Sequence, residues 1–242
     1  GPAAPPPDGA AQRSPPSRRL LAPHRYAGSV AGGRGLRMGA ELPKQFLPLR
    51  GEPVLMHTLR QFAPEVEELI LVLPADQQGL WQELCTQHQF TLPHHIADGG
   101  ATRFESVRSG LSKLPEQGLV AIHDGVRPLV SRALIRRTFE VAETSGVALP
   151  ACPVTDSLRL LGEEGASEAV ERARYRAVQT PQTFDLSRLH RAYEQPFSPL
   201  FTDDASVYEA AHLGAITLVE GEETNIKLTT PRDLLLADLL LD

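Results

Sequence analysis

Leu119-Val120-Ala121-Ile122 is an unbroken apolar run that stops at His123-Asp124-Gly125. A strand with one wet face would alternate polar and apolar residues. This run does not, so it reads as a strand covered on both faces, as in a parallel sheet. Leu69-Ile70-Leu71-Val72-Leu73, closed by Pro74, repeats the pattern upstream. Val147-Ala148-Leu149 and Ala215 to Val219 repeat it downstream. Tyr26-Ala27-Gly28-Ser29-Val30 reads as a further strand, weakened by its glycine and serine. Amphipathic segments of helical length lie between them: Val54–Phe62, Gln77–Gln89, Thr102–Leu114, Arg132–Glu143, Asp203–His212 and Pro231–Leu241. The last has proline at a first helical position after Thr229-Thr230, a good start signal. This alternation predicts an α/β fold: a Rossmann-like, mostly parallel sheet with helices on both faces.

One segment breaks the rhythm. Between Cys152 and Thr183 the chain runs Asp156 to Leu161, then Gly162-Glu163-Glu164-Gly165, then Arg174 to Val178. Two extended pieces about a glycine-rich acidic turn predict a protruding β-arm over 152–183. A lone hairpin is marginal in water, so the arm is expected to pack on a second subunit, giving a homodimer. Residues 1–24, crowded with Pro, Ala, Arg and Ser, read as a disordered tail, and residues 25–242 as one domain.

The bulk numbers agree. A chain of 242 residues that is 41% hydrophobic can bury one substantial core. A net charge of −6 argues against general nucleic-acid or membrane-surface binding, so functional cations must be concentrated at a site. No apolar run approaches the roughly 20 residues that span a bilayer. Cys85 and Cys152 form no CxxC or Cys/His cluster, and are expected to be small core residues in a reducing, cytoplasmic setting.

Five strings carry chemistry. Ala31-Gly32-Gly33-Arg34-Gly35-Leu36-Arg37-Met38-Gly39, followed by Pro43-Lys44-Gln45, combines a backbone able to approach a ligand closely with two cations, Arg37 and Lys44. A triphosphate has the matching shape and charge. The string is neither a Walker loop nor a GxGxxG fingerprint. Asp98-Gly99-Gly100-Ala101-Thr102-Arg103-Phe104-Glu105-Ser106 sets small groups and backbone amides before a helix opening at Thr102, as a flat base pocket requires. His123-Asp124-Gly125-Val126-Arg127-Pro128 follows a buried strand, where open parallel sheets bind ligands. Asp124 there suits Mg²⁺ or a ribose hydroxyl, and Arg127 suits a phosphate. Gln179 to Phe184 and Thr224 to Pro231 complete the set, with Lys227 near a strand end and within reach of another phosphate oxygen.

In this order and spacing the strings resemble the 2-C-methyl-D-erythritol 4-phosphate cytidylyltransferase family, from about Tyr26 to the C-terminus. HDGVRP, RAVQTPQTF, FTDDASVYE and NIKLTTPRDL carry the narrowing. The resemblance implies a nucleotidyltransferase that moves CMP from CTP to a polyol phosphate with Mg²⁺ or another divalent cation. It implies that Arg37, Lys44 and Lys227 are catalytic cations. It places Ala31, Gly32, Gly33 and Gly35 on CTP, with Gly100, Ala101 and Ser106 reading cytosine. Asp124 matches the acid near ribose, phosphates and metal. Arg127, Ser157, Arg172 and Thr180 match contacts to the acceptor, Ser157 and Arg172 through an arm that crosses to the partner subunit.

Three positions depart from the family pattern. Gly28-Ser29 replaces bulky aliphatics, which is expected to weaken the central strand. Gly125 stands where alanine is usual, which is expected to loosen the backbone beside Asp124. Ala101 replaces an acidic or polar residue, leaving backbone groups to read cytosine. The rival acceptor is ribitol 5-phosphate, on the same fold. A non-catalytic scaffold is the rival of another class, opposed by the presence of Arg37, Lys44, Asp124 and Lys227.

Overall fold

Neighbouring residues in the apolar runs enter opposite cores, which fixes the layering. The computed structural model describes residues 22–31 and 42–241. In chain order it contains β1 (Arg25–Val30), the short pair β2 (Pro48–Leu49) and β3 (Glu52–Pro53), α1 (Val54–Phe62), β4 (Glu68–Leu73), α2 (Ala75–Gln87), β5 (His95–Asp98), α3 (Arg103–Leu111), β6 (Leu119–Asp124), α4 (Arg132–Ser145) and β7 (Val147–Pro153). Then follow β8 (Arg159–Leu161), β9 (Ser167–Ala169), β10 (Arg176–Val178), β11 (Gln182–Asp185), α5 (Leu186–Ala192), α6 (Asp204–Ala210), β12 (Leu218–Glu220) and α7 (Pro231–Leu240).

Eight strands form one sheet in the order β10-β7-β11-β6-β1-β4-β5, with β12 also pairing β7. Val120 and Ile122 of β6 face α3, α5 and α6, whereas Leu119 and Ala121 face α1, α2 and α4. Both faces are therefore covered, as the continuous apolar runs require. Strands β6, β1, β4 and β5 are parallel. From β1 the chain moves outward to β4 and β5, then returns to β6 on the other side of β1. That reversal makes the carboxyl ends of β1 and β6 the switch point where such sheets bind ligands.

The sheet departs from the expected pattern at β11. This strand lies antiparallel between β6 and β7. Its Gln182-Thr183-Phe184 carries no apolar run. Burial of its polar groups is met by partners from elsewhere: Thr183 and Thr138 hydroxyls lie 2.8 Å apart, and Gln182 Nε2 donates to Asp203 at 3.0 Å. Helix α5 was likewise outside the sequence reading. It is one short segment started by Asp185, whose carboxylate accepts the Arg188 amide.

The arm is smaller than 152–183. Arg159–Leu161 pairs with Ser167–Ala169, not with 174–178. Arg176–Val178 instead pairs with β7, and Gln182 and Thr183 are buried in the main sheet. Of the run from Ala215 to Val219, only its end enters a strand, β12. The cysteines are half-buried rather than core. Burial pushes the Cys85 thiol up to about 11, so it stays protonated and unreactive. The expected tail, 1–24, lies outside the described residues up to residue 21.

The strand with Gly28 and Ser29 is regular, paired along its length with β6 and β4. A Cβ on Gly28 would meet Ile122 at 3.4 Å, an ordinary contact. Ser29 is 1% exposed, and its hydroxyl has no hydrogen-bond partner among the described residues. An unmet buried hydroxyl costs about 1–3 kcal/mol. Ser29→Ala should therefore raise the thermal midpoint, by roughly 2–4 °C for each kcal/mol recovered, measured by calorimetry. An unchanged or lower midpoint would show that the hydroxyl is satisfied.

Candidate active site

The edge where β1, β5 and β6 end opens into a cavity of about 330 Å³, lined by Ala31, Lys44, Gly100, Ala101, Ser106, Asp124 and Lys227 among others. Seven residues singled out in sequence, from four of the five strings, thus share one cavity. Arg37, Gly32, Gly33 and Gly35 lie outside the described residues. Lys44 opens a short 3₁₀ turn, Lys44–Phe46, whose Gln45 is buried and donates to Gln77 at 2.6 Å. The turn is fastened, so the Lys44 backbone is held at the rim.

At the base-side wall, a Cβ on Gly100 would fall 2.4 Å from the Glu105 Cβ, so only glycine fits. The Gly100 amide donates to Ser106 Oγ at 3.0 Å, and the Ala101 amide to Glu105 Oε2 at 2.9 Å. These amides are engaged within the protein, contrary to the expectation that they read a base. The Gly100 and Ala101 carbonyls and the Ser106 O–H are the groups left to a ligand. Thr102 caps α3, its hydroxyl accepting the Glu105 amide.

Asp124 ends β6 and gathers the cations. Arg103 Nη1 donates to its Oδ1 at 2.8 Å, Arg127 Nε to its Oδ2 at 3.1 Å, and Lys227 Nζ stands 4.0 Å away. Burial alone would raise this carboxyl. Arg103, then Lys227 and Arg127, hold it well below the usual carboxylate range. Gly125 is not loose. Its amide donates to Val30 at 3.0 Å, its carbonyl accepts Thr58 Oγ1 at 2.7 Å, and a Cβ would press on Leu55 and Ala31 at 3.1 and 3.2 Å. Lys227 lies in the connection between β12 and α7 rather than at a strand end. Its neighbour Leu228 is buried against α7 and Val126, and donates its amide to Val126 at 2.9 Å.

A second cavity, of about 250 Å³, adjoins the first and shares Arg103, Asp124 and Lys227 with it; Arg127, Thr180, Gln182 and Asp203 are among the residues that line the remainder. Thr180 is 5% exposed. Its hydroxyl accepts the Asp124 amide at 3.0 Å and lies 2.9 Å from His123 Nδ1. With its proton given to Nδ1, His123 donates from Nε2 to the Arg127 carbonyl at 3.0 Å. The ring is held neutral, and burial lowers its pKa from 6.5 to about 4. The folded state therefore binds fewer protons than the unfolded state between these values. Stability from this residue is intact above pH 6.5 and falls as pH drops toward 4, by about 3 kcal/mol in all. Urea titrations across that window should show this slope in the parent and lose it in His123→Asn. A persisting slope would assign it to other groups.

Ser157 and Arg172 line neither cavity. Both are exposed on the arm, and Arg172 donates to the Thr155 carbonyl at 2.6 Å.

Residues 29–242 match the model of the 2-C-methyl-D-erythritol 4-phosphate cytidylyltransferase family. The enzyme of that name from Porphyromonas gingivalis is 55% identical over 217 residues, covering 90% of this chain and 97% of its own. The chain belongs to this family. The cytidylyltransferase from Bacillus velezensis is 38% identical over 215 residues, covering 87% of this chain and 93% of its own. Among solved structures, the 4-diphosphocytidyl-2C-methyl-D-erythritol synthase of Anaerococcus prevotii superposes with a TM-score of 0.77 at 28% identity, covering 90% of this chain and 98% of its own. The cytidylyltransferase of Thermus thermophilus gives 0.71 at 33%, covering 88% and 96%.

The two joined cavities share Arg103, Asp124 and Lys227 at their boundary. Sequence reasoning missed Arg103, which lines both cavities, and Asp204, the buried carboxylate that holds it from behind. Arg103 stands in the string from Asp98 to Ser106, whose reading gives it no role. Asp203-Asp204 read as a helix start, and Asp203 does cap α6. Nothing in the spacing shows that Asp204 turns inward. Among the described residues no three His, Cys, Asp or Glu side chains group to hold a metal. A single carboxylate is nonetheless a normal protein share for Mg²⁺ that substrate phosphates also bind.

Proposed function

We infer that this chain transfers CMP from CTP to 2-C-methyl-D-erythritol 4-phosphate and releases pyrophosphate, with CTP in the larger cavity and the acceptor in the smaller. Membership of the family supports the reaction. The observation that carries it to these residues is the convergence of Arg103, Arg127 and Lys227 about Asp124, where the cavities meet, with Lys44 on the wall of the larger cavity. An acceptor phosphate oxygen attacks the α-phosphorus of CTP, and the bond to the departing pyrophosphate breaks. The attacking oxygen is already anionic, so no general base is needed. His123, neutral and fully buried, is not one. Lys44 and Lys227 neutralise charge that builds on the phosphates, and Arg127 holds the acceptor phosphate. Arg37 adds a cation from the glycine loop. Asp124 is the residue that would hold Mg²⁺, whose bound charge neutralises phosphate oxygens. Gly100, Ala101 and Ser106 read cytosine through carbonyls and one hydroxyl. A ³¹P NMR time course tests the reading: the diphosphate diester and pyrophosphate should grow together from CTP and acceptor. Pyrophosphate without the diester would reduce the protein to a hydrolase.

The functional unit is a homodimer in the same reading, working in the cytoplasm. Leu160, Leu161 and Tyr175 are exposed on the arm, and a second copy would cover them while bringing Ser157 and Arg172 to its acceptor cavity. Replacing residues 159–169 by a short Gly-Ser linker should give a monomer by light scattering and raise the acceptor KM. A monomer with unchanged KM would refute the shared site.

A further inference from the structure

One ion-pair array runs from the active site into the helical layer behind it. Arg103, the first residue of α3, donates from Nη1 to Asp124 and from Nη2 to Asp204, the latter at 3.1 Å. Asp204 is fully buried, and the Tyr193 hydroxyl, just beyond α5, donates to its other oxygen. One guanidinium thus joins the end of β6 to the start of α6. It also forms wall common to both cavities. Its helix carries the base-side residues Thr102 and Ser106 as neighbours. A planar fork can hold two carboxylates on two elements at fixed angles, whereas an ammonium is a point charge on a flexible stem.

We propose that Arg103 is a positioning residue for nucleotidyl transfer: anchored by Asp204 and Tyr193, it fixes the Asp124 carboxylate relative to the base-reading turn. The proposal rests on the cytidylyltransferase reading. Asp124 meets the phosphates, while Gly100 and Ser106 meet the base. Arg103 is the direct bond between those two parts of the site, so it sets the α-phosphorus against the incoming acceptor. Misplacement by about an ångström is enough to cost on the order of 10²-fold in rate.

The test separates positioning from mere support of the fold. Arg103→Gln leaves Asp204 buried without its cation, and the thermal midpoint should fall. Adding Asp204→Asn removes the stranded charge, and the midpoint should recover. In that double variant kcat should remain down on the order of 10²-fold, with the CTP KM changed far less. Arg103→Lys keeps the charge without the fork, and should fold and stay slow. If kcat returns with the midpoint in the double variant, or if Arg103→Lys turns over like the parent, the proposal fails. Should the double variant not fold, Arg103→Lys decides alone. The parent is the control: a silent parent overturns the proposed reaction, whereas an active parent with active variants overturns only the role of Arg103.

Discussion

Lys44→Ala should lower kcat about 10²–10³-fold, equivalent to about 3–4 kcal/mol of barrier. Lys44 lines the nucleotide cavity from a short turn whose backbone is fastened independently by Gln45 and Phe46, both buried. Gln45 and Phe46 keep the backbone of the turn in place when the ammonium, which faces the cavity, is removed. Charge on those oxygens grows as the bond to pyrophosphate breaks, so the missing cation is felt more in the transition state than in bound CTP. The discriminating readout is steady-state kinetics beside equilibrium CTP binding. A matched fall in kcat and kcat/KM with near-parent affinity is the expected pattern. A rise in KM alone would make Lys44 a simple binding residue, and unchanged kinetics would remove it from the mechanism.

Asp124→Asn should have an effect of similar size on turnover and also weaken the fold. The carboxylate balances Arg103 and Arg127 directly and Lys227 across 4.0 Å, from a side chain 10% exposed. An amide there takes the facing carboxylate from Arg127, whose side chain is 13% exposed, while Arg103 keeps Asp204; breaking a buried pair of this kind costs about 3–5 kcal/mol. The pH dependence has a definite sign. Because the folded carboxyl is held below its ordinary 3.8, its stabilisation is complete above that pH and lost as pH falls beneath it. The Asn variant should be less stable at neutral pH and lack this acid limb. Denaturant midpoints followed from neutral pH to below pH 4 give the comparison. Parallel curves for the two proteins would mean that the cations do not depend on Asp124.

Most of the parallel half of the sheet is legible in sequence because its strands are buried on both faces and say so residue by residue. Helix α1 is read to its ends from periodicity, and α7 is fixed by Pro231 and the reciprocal Thr230–Asp233 cap. The antiparallel strand β11 is hidden because its buried face is held by hydrogen bonds from Gln182 and Thr183, and polar residues look like a loop until their partners are known. The arm was misdrawn for the opposite reason. Arg176–Val178 looks extended, and is, but its partner is β7 rather than the nearer 159–161. Sequence gives the tendency to extend without the pairing.

The site shows the same division. Residues that meet a ligand advertise themselves, since a lysine after a glycine loop or an aspartate at the end of a buried strand has no packing reason to be there. Residues that hold those groups do not. In sequence Arg103 follows a helix start at Thr102, Asp204 follows one at Asp203, and nothing marks Tyr193; only the fold reveals the array they form. Gly125 and Gly28 looked like flaws for want of their surroundings. The first is packed under Leu55 and bonded on both sides, and the second leaves an ordinary space beside Ile122.

The most direct test of the central claim is pyrophosphate release from CTP and Mg²⁺ with 2-C-methyl-D-erythritol 4-phosphate and with ribitol 5-phosphate in parallel. The account predicts release with the first acceptor and none above background with the second. Release with ribitol 5-phosphate alone, or with neither acceptor in a folded sample, would contradict it.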